Sequence, residues 1–316
     1  MQGWIPYKIT VDNDGALCHW IDTFSIRYLE PFFAETISKM RSIPRRRIFC
    51  LPVSSLEMMK EWATVIDHVS PTSFIFHISR CGSTLLSQLL GLNEESISLS
   101  EVPIFDDILR LRYKLPGITE EYTGELLQAA MKFYGQKRFG TEKNMFIKTD
   151  SWHIHFYREL RTLYPDVPFL LLYRAPAEVF ESHVKLRGTQ TVPGLIEPEV
   201  FGFANDGIPD FHSFPAKVIA SYLTAYITVA STDSLSVLLN YNEGMTAIMD
   251  KIARVTNIKY DTALRQKMEE RTGYHSKYPG TVFSEQRDMP PPECLWDALD
   301  LYNQVELLRF NQTHCT

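Results

Sequence analysis

The sequence predicts an α/β fold, a mostly parallel central sheet flanked by helices and preceded by a small N-terminal extension. Two stretches carry that prediction. Residues 74–90 (FIFHISRCGSTLLSQLL) run as an apolar strand, a tight turn of small residues and an amphipathic helix. Residues 168–187 repeat the pattern, with Phe169 to Tyr173 continuously apolar, as a strand buried on both faces should be. Pro176 suits the first turn of the following helix, where a missing N–H costs nothing. Val179, Phe180, His183 and Val184 then fall at helical spacing.

The remaining elements follow in chain order. Residues 1 to 70 form the extension and 71–316 the α/β domain. In the extension, Tyr7–Val11 and Leu17–Trp20 read as a hairpin closed by Asp12-Asn13-Asp14-Gly15. An aromatic-rich stretch from Phe24 to Phe33 leads into a helix reaching about Arg41. Leu56 to Val69 reads as another helix, with Met58, Met59, Trp62, Val65, Ile66 and Val69 apolar. The extension is expected to cover an edge of the core sheet. Ile97–Ser100 is the second core strand, and Ile104 to Phe139 is mostly helical. Residues 188–215 carry Gly, Pro and acidic residues without a period and read as a long loop or lid. Its Phe201, Phe203, Phe211 and Phe214 either line a pocket or pack the loop itself. Val218 to Ala230 is a buried helix, since Ser221, Thr224 and Thr228 interrupt the apolar run.

The first turn has the chemistry of an anion site. A strand leading through small residues into a helix aims backbone N–H groups and a helix N-terminus at one point, usually a phosphate. Gly82 lets the backbone approach closely, Ser83 and Thr84 add hydroxyl donors, and Arg80 brings a planar fork of donors with fixed charge. The nucleotide triphosphatase loop is absent. Gly82 stands directly before Ser83-Thr84, where that loop needs Lys, and five places upstream of Gly82 stands His77, not Gly. Arg174 ends the second strand, where open α/β sheets bind ligands, and Ser182 follows eight positions later.

A basic residue two places before Gly82-Ser83-Thr84 resembles the 5′-phosphosulfate loop of sulfotransferases. Arg174 and Ser182 are similar in spacing to the family's pair on the donor's 3′-phosphate. Met145–Lys148 looks like the family's strand ending in Lys near the reacting sulfate, and Leu235–Glu243 like its late strand ending in a Tyr-Glu pair. Residues 271–280 sit where the family places a loop over the 3′-phosphate. The fuller G-x-x-G-x-x-x-x-K pattern is missing there, so Ser276 and Lys277 match by position alone. The resemblance spans about Ser73 to Gly280 in the order of its elements. It implies a P-loop sulfotransferase-like fold that takes 3′-phosphoadenosine 5′-phosphosulfate as sulfuryl donor, releases adenosine 3′,5′-bisphosphate and uses no metal. Arg80, Cys81, Gly82, Ser83, Thr84, Arg174, Ser182, Ser276 and Lys277 would bind the donor, and Arg80 and Lys148 would stabilise the departing phosphate.

Sulfuryl transfer is an in-line displacement whose acceptor O–H needs a base. Glu101 leads, because it follows the second core strand and some tyrosylprotein and carbohydrate sulfotransferases place a Glu there. Cytosolic members use a His two positions after the Lys. Here Asp150 fills that slot, as base or as the group orienting Lys148, and His153 and His155 lie just beyond. Arg80 cannot donate a proton at neutral pH and contributes charge and hydrogen bonds only.

Composition bounds the rest. The chain has 316 residues, 45% hydrophobic and 22% charged, which suits one large globular domain or a domain with an appendage. A net charge of −6 argues against general nucleic-acid binding, and Arg45-Arg46-Arg47 is too short a cluster to reverse that. Five cysteines without a C-x-x-C pair fit a reduced protein. The N-terminus has no signal pattern and no apolar run spans a bilayer, so a cytoplasmic enzyme is expected. The acceptor is open among small alcohols, saccharides, lipids, peptides and amines. His153-Ile154-His155, read as one strand face, could hold a metal but has no third ligand in view. Two other readings stay open: another nucleotide-dependent transferase or kinase, marked by Mg²⁺ dependence, and a nucleotide-binding protein without turnover.

Overall fold

The computed structural model describes residues 2–12, 15–23, 26–43, 52–204, 207, 210–272 and 291–314. Strands β1 (Trp4–Asp12) and β2 (Gly15–Asp22) pair antiparallel, with Asp12 opposite Gly15, as the hairpin reading expected. Helix α1 (Phe33–Ser42) follows the aromatic stretch. The short β3 (Val53–Ser55) completes a three-stranded sheet beside β2 and leads into α2 (Leu56–Ala63), which Ser55 caps by accepting the Met58 N–H. That helix is shorter than its apolar residues suggested. Thr64 closes it, both its N–H and its hydroxyl reaching the Glu61 carbonyl, and Val65 is 84% exposed. Val69 is buried off the helix, its N–H bonded to the Gly135 carbonyl.

The core strands and helices then alternate. They are β4 (Ser73–His77), α3 (Ser83–Gly91), β5 (Ser96–Ser100), α4 (Pro103–Leu109), α5 (Leu111–Lys114), α6 (Glu120–Tyr134) and β6 (Asn144–Lys148). After them come α7 (Tyr157–Leu163), β7 (Phe169–Tyr173), α8 (Pro176–Lys185), α9 (Phe214–Thr232), β8 (Ser236–Asn240), α10 (Met245–Thr256), α11 (Thr262–Thr272) and α12 (Trp296–His314). The five-stranded sheet has the order β5-β6-β4-β7-β8, with β5–β6, β4–β7 and β7–β8 in parallel register. Every residue of β4 and β7 is buried, which accounts for their unbroken apolar runs.

The chain divides into two compact units. One comprises residues 1–73, 87–149 and 159–165. Here Trp20 anchors the extension: its ring meets Trp62 and Phe133 at centroid distances of 5.4 and 4.8 Å, and its indole N–H donates to Ser54. The other unit comprises residues 74–86, 150–158 and 166–316. Its core is β4, β7 and β8 with α9, whose Ile219, Tyr222, Leu223 and Tyr226 are buried and whose Tyr226 hydroxyl donates to the Leu172 carbonyl. The segment before α9 holds two short 3-10 turns, Thr189–Thr191 and Pro198–Phe201; Phe214 and Pro215, read as loop, begin the helix instead. Among the described residues no helix is long and apolar enough to cross a membrane.

Candidate functional site

The turn after β4 is built from left-handed backbone. Ser79 (φ 67°), Arg80 (φ 51°) and Gly82 (φ 81°) all adopt it. For a residue with a Cβ this costs on the order of 1–2 kcal/mol, and such strain gathers where a turn is used for binding. Ser79 is steadied by donating its N–H to His77 Nδ1 at 3.1 Å. Helix α3 then starts at Ser83, and its first internal bond runs from the Leu86 N–H to the Gly82 carbonyl. The N–H groups of such a first turn have no carbonyl within their own helix, which is what gives a helix N-terminus its affinity for anions. Ser83 and Thr84 are buried at that terminus. Cys81 points inward, its thiol against the Leu172 carbonyl, so only its backbone can serve a ligand. Arg80 is partly exposed and donates through Nη2 to the Leu186 carbonyl at 2.7 Å, at the C-terminal end of α8.

Tyr241 joins this turn to Arg174. Its ring carbons lie 2.4 and 2.5 Å from where a Cβ on Gly82 would stand, and the Arg174 guanidinium lies 4.7 Å from its ring centroid. Arg174 is also bonded through Nε to Glu178 Oε2 at 2.5 Å, with both side chains buried. Glu178 stands four residues after Arg174, a helical spacing visible in the sequence. Tyr241 is far from both in the chain, and nothing local announces its contact with Gly82. Ser182 lies two turns along α8, half-buried. Gly82→Ala is expected to displace Tyr241 and to strain the turn. Denaturation should show a loss of about 1–3 kcal/mol, and titration with adenosine 3′,5′-bisphosphate at least about a tenfold loss of affinity.

In the other unit, the parallel register sets Ser100 beside Lys148, and the Glu101 N–H bonds the Lys148 carbonyl at 2.8 Å. Glu101 takes the left-handed conformation (φ 52°), and its carboxylate meets the Lys148 ammonium at 2.5 Å. The Lys148 side chain is fully buried, that of Glu101 is 22% exposed, and Lys148 also donates to Ser100 Oγ at 3.3 Å. The two residues singled out by different segments of the sequence are thus direct partners.

Asp150 precedes a 3-10 turn, Ser151–Phe156, where the sequence suggested a strand face for His153 and His155. At three residues per turn, positions two apart point away from one another, so the two imidazoles do not share a face. His153 Nε2 lies 3.7 Å from Asp150, whereas His155 Nε2 lies 3.4 Å from the Ser221 hydroxyl. Ser276 and Lys277 lie outside the described residues.

Burial lowers the His155 pKa from 6.5 to about 4. Below pH 6.5 the unfolded chain takes up a proton that the folded chain refuses. The stability is therefore whole above pH 6.5 and falls as the pH drops towards 4, by about 3 kcal/mol. Urea denaturation of His155→Gln should show this acid-side slope reduced, with little change at pH 7.5.

No protein-family profile matches the chain, and no curated protein is similar to it in sequence. Among solved structures, the sulfotransferase domain of the curacin biosynthetic pathway is similar, with 13% identity, a TM-score of 0.48, and 76% of this chain and 99% of that one covered. A sulfotransferase from Mycobacterium avium gives 11% identity and a TM-score of 0.48 over 89% of this chain and 84% of that one. One from Mycobacterium tuberculosis gives 13% and 0.44 over 68% and 75%.

Proposed function

We propose that this chain binds 3′-phosphoadenosine 5′-phosphosulfate and transfers its sulfuryl group to a hydroxyl or amine acceptor. The observation that carries the reading is the joined arrangement of the left-handed Ser79–Gly82 turn, the N-terminus of α3 and Arg174, with Tyr241 packed against both Gly82 and Arg174. Such a turn and helix start suit one anionic end of a ligand, and a buried guanidinium suits a second phosphate. The turn offers no lysine for a triphosphate.

The residues fit a bisphosphorylated donor in kind. The backbone of residues 80–84 with the Ser83 and Thr84 hydroxyls would hold its 5′ end, and Arg174 with Ser182 its 3′-phosphate. When bound, the donor supplies the sulfuryl group, its bond to the 5′-phosphate oxygen breaking as the acceptor oxygen or nitrogen bonds sulfur. Glu101, partly exposed, accepts the acceptor's proton at a carboxylate oxygen. Lys148 orients that carboxylate, and Arg80 offers fixed positive charge to the departing phosphate. The exposed free thiol of Cys294 suits a reducing, cytoplasmic compartment.

Incubation with sulfur-labelled donor and a panel of alcohols, saccharides and amines tests the proposal. Label should move to an organic acceptor, with adenosine 3′,5′-bisphosphate as co-product and no requirement for Mg²⁺. An unchanged donor across the panel, with the bisphosphate unbound, would defeat it.

A further inference from the structure

We infer that Glu306 of α12 is a positioning residue for the second phosphate of the donor, setting Arg174 and Tyr241 in place through the residues that precede them; this rests on the function proposed above. Arg174 follows Tyr173, the last residue of β7, and Tyr241 follows Asn240, the last residue of β8. The parallel register sets Tyr173 beside Asn240, so the guanidinium and the ring that meet at 4.7 Å leave the sheet side by side. Whatever fixes that register pair also fixes where both side chains start.

Glu306 does so with one carboxylate oxygen. Its Oε1 accepts from the Tyr173 hydroxyl and, at 3.0 Å, from Asn240 Nδ2. Arg309, one turn along the helix, donates through Nε to the same oxygen at 3.0 Å and through Nη2 to Oε2 at 2.7 Å, which holds the carboxylate still. The Tyr302 hydroxyl, one turn back, also accepts from Asn240 Nδ2, at 2.9 Å, and its ring lies 5.9 Å from that of Tyr173. Tyr302, Glu306 and Arg309 stand at the spacing of one helix face, and that face meets the ends of both strands.

Asn240 passes the constraint on. Its amide nitrogen is committed to α12, and its amide oxygen accepts the Asn242 N–H at 2.9 Å. The Asn240 N–H donates to Glu243 Oε1 at 3.0 Å, and Glu243 is paired with Arg309 and Lys251. These bonds shape the 3-10 turn Tyr241–Glu243, which carries the ring lying against Gly82 and Arg174. Tyr173 and Asn240 are buried, so neither can turn to water in place of Glu306. Apolar packing would hold a helix on a sheet without desolvating a carboxylate. What a carboxylate adds is direction, since its oxygens fix where each donor points. The helix has a separate anchor at Gln312, which accepts the Leu238 N–H at 3.1 Å and donates to the Ser236 carbonyl at 3.2 Å. That anchor runs along β8 towards its other end, away from Asn240.

Calorimetric titration of the full chain with adenosine 3′,5′-bisphosphate and with adenosine 5′-monophosphate tests the inference, the ratio of the two affinities being the readout. A loss of structure alone weakens both nucleotides or neither, whereas a misplaced Arg174 weakens the bisphosphate. Glu306→Leu should lower the ratio at least about fivefold. Glu306→Gln keeps a carbonyl for Tyr173 and Asn240 and should retain most of the ratio. Tyr173→Phe deletes one donor from a ring that stays buried and should lower the ratio about twofold to threefold. Gln312→Leu removes the other anchor and should lower stability in urea with the ratio unchanged. A wild type that prefers the bisphosphate, with the ratio unchanged in folded Glu306→Leu and Tyr173→Phe or lowered as far by Gln312→Leu, overturns the inference and leaves the donor site standing. Equal affinity of the wild type for the two nucleotides overturns the function proposed above and this inference with it.

Discussion

Arg174→Ala is expected to lose stability and anion affinity together, and a second substitution separates the two losses. The guanidinium and the Glu178 carboxylate are 7% and 8% exposed and 2.5 Å apart. Removing the cation alone leaves a buried carboxylate without its counter-charge, which costs about 3–5 kcal/mol. Removing both charges, as Arg174→Met with Glu178→Leu, also removes the cost of burying them, so denaturation should show much of the stability restored. Affinity for adenosine 3′,5′-bisphosphate should not return. A charge-assisted hydrogen bond contributes about 1.5–3 kcal/mol, so titration should show a loss of about tenfold to a hundredfold or more in both variants. A double variant that binds the bisphosphate as the wild type does would remove Arg174 from the site.

Glu101→Gln is expected to lower the rate of sulfuryl transfer by about 10²–10⁴-fold, the usual contribution of a positioned base. Bisphosphate affinity should stay close to that of the wild type. The substitution has a structural cost as well, because Lys148 is fully buried and meets Glu101 at 2.5 Å. Glutamine keeps a carbonyl acceptor for the ammonium but not the charge. Since Glu101 is partly open to water, the loss should be about 1–3 kcal/mol, below that of a fully buried pair. Pairing Glu101→Gln with Lys148→Met should recover stability without recovering turnover. Turnover retained in Glu101→Gln would pass the role of base to Asp150, for which Asp150→Asn is the corresponding variant.

What the sequence disclosed was what depends on neighbours in the chain. The apolar runs of β4 and β7, the small-residue turn between β4 and α3, and Pro176 at the start of α8 each state their conformation within a few residues. The hairpin of β1 and β2 was legible for the same reason. The Glu101–Lys148 pair was not, because it depends on β5 and β6 meeting in parallel register with Ser100 beside Lys148. Both residues were singled out, but for separate tasks. Tyr241 against Gly82 was hidden for a stronger reason, since a glycine discloses the need for space without disclosing what fills it. The errors also have physical sources. Val65, Ile66 and Val69 continue the apolar spacing of α2, yet Thr64 closes the helix and Val65 faces solvent. His153 and His155 alternate as strand residues would, yet they occupy a 3-10 turn whose period sends them apart. Spacing alone does not distinguish the two periods over three residues.

The proposed function requires the β4–α3 turn and Arg174 together to bind a nucleotide carrying two separate phosphates. Calorimetric titration with adenosine 3′,5′-bisphosphate, set beside adenosine 5′-monophosphate and ATP with Mg²⁺, measures this directly. Binding is expected to be tightest for the bisphosphate, unaffected by Mg²⁺, and weakened by Arg174→Met with Glu178→Leu to about the level of the monophosphate. Tighter binding of ATP in the presence of Mg²⁺, or equal affinity for bisphosphate and monophosphate, would contradict it.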